Sequence, residues 1–146
     1  MKKIALVLLL MAGLAYCEEK AEDLIKKGLD NANNGKYDEA IENLKKAIDL
    51  DPKKTEAHFN LGVVYANKKD YDNALKEMEE TLKINSGNVN AHYIMAMIYE
   101  KKKDKEKALA EWGKVTSSGP EKTMKEVADK HSKRLKEEID KEKTKK

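Results

Sequence analysis

Between Gly35 and Pro52 apolar and charged residues alternate at helical spacing, with Ala40, Leu44, Ala47 and Ile48 on one face and Asp, Glu and Lys around the rest. Pro52 closes the stretch, because its ring removes the amide that would continue a helix. The pattern predicts a single amphipathic helix over this span. It then returns: Tyr37 and Ala40 reappear thirty-four residues on as Tyr71 and Ala74, and the alanine appears again as Ala108 after another thirty-four.

A fixed period of this length belongs to chains built from helix pairs, each burying its apolar face against the next pair along the stack. Counting from Pro52 divides the chain into units 21–54, 55–88 and 89–122. In the first helix of each unit a small residue falls at Gly28, Gly62 and Ala96, and Asn31, Tyr65 and Tyr99 follow. The second helices carry Ala40, Ala74 and Ala108, then Leu44, Met78 and Trp112, then Ala47, Thr81 and Val115. The units end at Pro52, at Ser86-Gly87 and at Gly119-Pro120. Beyond Pro120, Met124, Val127, Ala128, His131, Leu135 and Ile139 form one more stripe at spacings of three and four, which predicts a capping helix over 123–141. A solenoid needs such a cap, since its last repeat otherwise exposes an apolar flank. Residues 142–146 are a charged tail.

These residues resemble the tetratricopeptide repeat (TPR) family from Ala21 to Lys122. The resemblance is clearest in the middle unit, with Leu61-Gly62, Tyr65, Tyr71, Ala74 and Ser86. It implies an all-α, right-handed α-solenoid of three TPR helix-turn-helix pairs plus the C-terminal capping helix. The chain departs from the family pattern where Leu24, His58 and His92 replace an aromatic, and where Lys69 and Lys103 stand in turns that carry Gly35 in the first unit. A left-handed lysine costs about 1 kcal/mol more than glycine there.

In this family the first helix of every pair lines the concave face. Carried over residue by residue, that face comprises Glu22, Ile25, Leu29 and Ala32, then Glu56, Phe59, Asn60, Val63 and Ala66, then Asn90, Tyr93, Met97 and Glu100. The resemblance implies a mostly apolar groove rimmed by Glu22, Glu56 and Glu100, suited to a protein or peptide segment with apolar anchors and basic flanks. Self-association through the groove, giving a homo-oligomer, is one alternative, and plain packing of these side chains against neighbouring helices is the other. Relatives that clamp a C-terminal carboxylate use Lys, Asn and Arg, but here only Asn60 is in place, and Ile25, Leu29, Asn90 and Ile94 occupy the other positions.

The N-terminus adds an address. Lys2 and Lys3, an apolar run from Ile4 to Leu14 and the turn Leu14-Ala15-Tyr16-Cys17 have the order of a bacterial secretory signal peptide over 1–17. The ending resembles a lipoprotein signal, with lipidation at Cys17 and attachment to a membrane, although Tyr16 stands where such signals carry a small residue. An ordinary cut after Ala15, leaving a free thiol, is the second route, and an uncut anchor is the third. Under the first route Glu18, in place of a retaining aspartate, favours the outer membrane; every route places the protein in the cell envelope.

Composition excludes more than it adds. At 39% charged and 5% aromatic, the 146 residues suit a thin helical stack better than a thick core. The formal charge of +3 falls to about +1 without Lys2 and Lys3, which argues against nucleic acid as a partner. One cysteine forms no internal disulfide. His58 and His92 fall at packing positions, so no metal site or cofactor is expected from them, and Trp112 falls at a core position. No nucleophile elbow, phosphate loop or zinc motif is present, so the sequence points to a binding scaffold, not an enzyme.

Overall fold

The computed structural model describes residues 20–144. The signal segment and Cys17 lie outside them, as do the last two residues of the tail. The described residues fold as helices α1 (Ala21–Asn33), α2 (Tyr37–Leu50), α3 (Thr55–Asn67), α4 (Tyr71–Ile84), α5 (Val89–Lys101), α6 (Lys105–Ser117) and α7 (Lys122–Lys143). The chain is an all-α solenoid. Helices α1 and α2, α3 and α4, and α5 and α6 pack as pairs, α2 and α4 hand on to the next pair, and α7 lies against α6. The first helices also touch one another in succession, α1 to α3 and α3 to α5, so they form one continuous inner row.

Sequence explains where three of the helices begin. Asp70, Asn88 and Asp104 cap α4, α5 and α6 by accepting the amides of Asn73, Ala91 and Lys107. Each turn within a pair closes identically: the amides of Lys36, Asp70 and Asp104 donate back to the carbonyls of Asn31, Tyr65 and Tyr99, at 2.9 Å in every case. That closure requires a left-handed residue just after the helix. Gly35 supplies it with φ 74°, and Lys69 and Lys103 are held in the same region at φ 64° and 62°. The two lysines therefore carry the backbone cost that their position implies.

Packing follows the small residues. Ala40, Ala74 and Ala108 are completely buried, and they let the second helix of each pair approach the first. A Cβ on Gly28 would sit 2.8 Å from Leu44 Cγ, and one on Gly62 would sit 2.6 Å from Met78 Cε. The third unit admits Ala96 at this position, in the cluster built around the fully buried Trp112. Helices α3 and α5 have apolar residues on nearly every side because they are covered on both flanks. Thr81, buried among them, donates its hydroxyl to the Glu77 carbonyl at 2.8 Å, so no polar atom is orphaned there.

Polar contacts repeat in register with the packing. His58 Nδ1 lies 2.8 Å from Glu77, and His92 Nδ1 lies 2.7 Å from Glu111, joining the two helices of the second and third pairs. The first pair has Leu24 and Asn43 at these positions, with Leu24 buried in the core. Between units, Lys68 reaches back to Asp38 and Lys102 to Asp72.

Candidate functional site

The inner row of α1, α3 and α5 displays the concave-face residues, but not uniformly. Ile25 is only 3% exposed and belongs to the core, so it offers nothing to a ligand. Leu29 is half-buried against the same core. Phe59 and Val63 pack one side against the Met78, Ala91 and Met95 cluster, and Tyr93 and Met97 pack against the Trp112 cluster. The other side of each remains partly open, and these four side chains form the apolar floor. Asn60 is half-buried among them, while Glu56 and Asn90 are exposed at the starts of their helices.

The acidic rim is thinner than the sequence suggests. Glu22 is exposed but ion-paired with Lys54 at 2.5 Å, and that hydrogen bond holds its carboxyl below the usual carboxylate range. Glu100 points away from the groove. Its Oε1 accepts from Trp112 Nε1 at 2.7 Å and from His131 Nδ1 at 2.6 Å, and its Oε2 meets the Arg134 guanidinium. Burial pushes the Glu100 carboxyl up, but the hydrogen bonds from Trp112 and His131 and the charges of His131 and Arg134 outweigh it and hold the group below its ordinary value. Sequence position correctly puts Glu100 on the first helix of the third unit. What it misses is that the cap brings His131 and Arg134 onto the same carboxylate.

Trp112 is the centre of that junction. Tyr93 meets it edge-on, with ring centroids 5.1 Å apart at 87°, and His131 lies over it at 4.8 Å. One indole therefore ties the groove floor, through Tyr93, to the cap, through His131. An opening of about 460 Å³ beside this junction, between α5, α6 and α7, is spanned by ion pairs from Lys105 to Glu138 at 3.0 Å and Glu142 at 2.7 Å.

A second cleft, of about 220 Å³, lies between the second and third units. Ala66, Tyr71, Ile94, Met97 and Ile98 wall it, and the exposed Asn67 and Lys101 complete its rim. Of these, Met97 and Ala66 are concave-face positions by sequence. Tyr71 was legible as a repeat position, whereas sequence reasoning missed Asn67 and Lys101; each directly follows a concave-face position, Ala66 or Glu100, and that adjacency is the signal that could have found them.

Among the described residues no group of three His, Cys, Asp or Glu side chains is placed to hold a metal ion, and no helix is long and apolar enough to cross a membrane.

Comparison with known families agrees with this architecture. Family models described as TPR repeat or tetratricopeptide repeat match residues 32–69, 55–88 and 89–117, which together span more than half of the chain. The chain belongs to the tetratricopeptide repeat family. No curated protein sequence matches it. Among solved structures, it is similar to the first TPR of Spaghetti (RPAP3) bound to an HSP90 peptide, with 22% identity and TM-score 0.73 over 82% of this chain and 95% of that one. It is also similar to the Yersinia enterocolitica type III secretion chaperone SycD in complex with a peptide of the translocator YopD, with 16% identity and TM-score 0.75 over 81% and 93%. A third is YrrB, described as a TPR protein with an unusual peptide-binding site, with 26% identity and TM-score 0.71 over 80% of this chain and 60% of that one.

Proposed function

We propose that this protein is a scaffold that holds a protein or peptide segment along its inner face, in the cell envelope. The observation that carries the reading is the half-open apolar floor of Phe59, Val63, Tyr93 and Met97, which runs into the cleft beside Ile94 and Ile98. Contiguous apolar surface of this kind, on a rigid row of helices, is what an extended or helical segment needs to seat its anchors. Structures of similar fold that hold peptides support it. Binding here is by shape and burial, with no bond made or broken.

Export by the segment 1–17 and a lipid on Cys17 complete the proposal: they confine the groove to the envelope, with the outer membrane as the favoured surface and assembly of an envelope complex as the role. Mass analysis of the mature N-terminus tests the anchor directly. A diacylglyceryl-modified Cys17 supports it, and an unmodified start at Tyr16 removes it.

Affinity capture from envelope extract tests the groove. Phe59→Glu combined with Met97→Glu charges the open floor while leaving the Tyr93–Trp112 contact intact. The expected result is loss of the captured partner with helicity unchanged by circular dichroism. Undiminished capture moves the binding site elsewhere.

A further inference from the structure

We infer that the cleft between α3 and α5 selects a peptide in which an aliphatic anchor residue lies beside an internal acidic residue. This rests on the groove reading above and reverses the basic flank that the sequence alone suggests.

The walls fit the anchor. Ile94 and Met97 face Ala66 and Tyr71 across a space of about 220 Å³, over the buried Ile98, with room for a branched aliphatic side chain and no buried polar group that such a side chain would leave unpaired.

The charges that remain uncommitted fit the acid. Glu100, the neighbour of Lys101, is turned onto Trp112, His131 and Arg134. Lys68 and Lys102 are paired with Asp38 and Asp72. Asp70 accepts the backbone and side-chain nitrogens of Asn73, and Asp104 accepts the Lys107 amide and pairs with its ammonium. What is left at this edge of the groove is positive. Lys101 on the cleft rim is exposed, and so is Lys69 in the turn that follows Asn67; neither takes part in an ion pair among the described residues.

The backbone adds an independent observation. Lys69 and Lys103 hold left-handed conformations that Gly35 adopts without strain in the first unit. Charge at Lys69 is thus present despite a backbone cost, at the position that glycine fills in the first unit. A single ammonium on the rim matches a side-chain carboxylate. A chain terminus calls for the convergent donors of a clamp, whose positions here hold Ile25, Leu29, Asn90 and Ile94.

The test uses the mature chain and three fluorescent peptides, acetylated and amidated so that no free terminus contributes, built on Leu-Glu-Glu, Leu-Ser-Ser and Leu-Lys-Lys within one neutral frame. Fluorescence anisotropy should rank the acidic peptide about threefold tighter than the neutral one, and the basic peptide weaker again, with the spread narrowing as salt is raised. Lys101→Glu should abolish or invert the ranking. Equal binding of all three, or tighter binding of the basic peptide, overturns the acidic selectivity and leaves the groove reading standing. Binding of none overturns both. Binding that ranks as expected but persists in Ala66→Phe, a variant that fills the cleft and is checked for helicity, places the selectivity elsewhere and overturns this assignment.

Discussion

His58 hydrogen-bonds Glu77 across the second helix pair at 2.8 Å, with both side chains about one-tenth exposed, and the same bond recurs thirty-four residues later between His92 and Glu111. The family's aromatic wedge has become a polar clasp in two units, while Leu24 keeps an apolar wedge in the first. His58 also presents Nε2 to the Pro52 carbonyl at 3.1 Å, so the clasp reaches the loop that leads into its own helix.

Breaking one side of that clasp should cost more than replacing both. His58→Leu leaves the Glu77 carboxylate without its partner in a mostly dry site and should destabilise the chain by about 1–3 kcal/mol. His58→Leu with Glu77→Asn installs the Leu24 and Asn43 pair of the first unit and should recover most of that loss. Urea unfolding of the single and double variants checks it; equal losses would show the clasp to be dispensable packing.

The turns give a prediction of opposite sign. Lys69→Gly and Lys103→Gly should each stabilise the fold by about 1 kcal/mol, since glycine adopts the observed positive φ without a Cβ clash, less a part returned as extra freedom of the unfolded chain. Lys69→Gly should also weaken binding of acidic peptides. A rise in thermal midpoint with a fall in affinity is the expected signature, read by calorimetry and anisotropy.

The cap should loosen in acid before the repeats do. The Glu100 carboxyl is held below its ordinary value of 4.5, so the stabilisation it supplies is fully present above that pH and is lost as pH falls through the lower native value. Trp112, the one tryptophan, donates to this carboxylate and reports the change. Its emission should shift on acidification ahead of the loss of helical signal. In Glu100→Gln the shift should be absent, because the group no longer titrates.

Close approach of helices is tested at Gly28. A methyl there meets Leu44 Cγ at 2.8 Å, a branched carbon fixed in a fully buried side chain, so Gly28→Ala should destabilise by about 1–3 kcal/mol. At Gly62 the nearest atom is the flexible end of Met78, and Gly62→Ala should cost less than its counterpart. Thermal unfolding of the two variants decides the order.

Much of this architecture can be read from the chain before any coordinates. Small residues at Gly28, Gly62 and Ala96, and at Ala40, Ala74 and Ala108, mark close helix contacts because nothing larger fits, and contacts that recur in space recur in sequence. Lys69 and Lys103 were likewise legible as left-handed, since the turn closure demands it of whatever residue stands there. The concave face was legible only as a set of positions. Ile25 has the periodicity of a groove residue, yet it turns into the core, and periodicity cannot tell a floor that is open from one that is covered.

By itself, then, the sequence determined the helix pairs and their register, because both follow from local spacing and from the volume allowed at a contact, while the row of helices that faces inward was implied by the resemblance to the family. The charge character of the groove was decided by tertiary structure alone. Glu100 reads as a rim acid until His131 and Arg134, thirty-one and thirty-four residues downstream, fold back onto it and leave Lys101 as the charge beside the cleft. A side chain's partner in an ion pair is chosen by proximity in the folded state, and no local pattern encodes which distant helix will arrive.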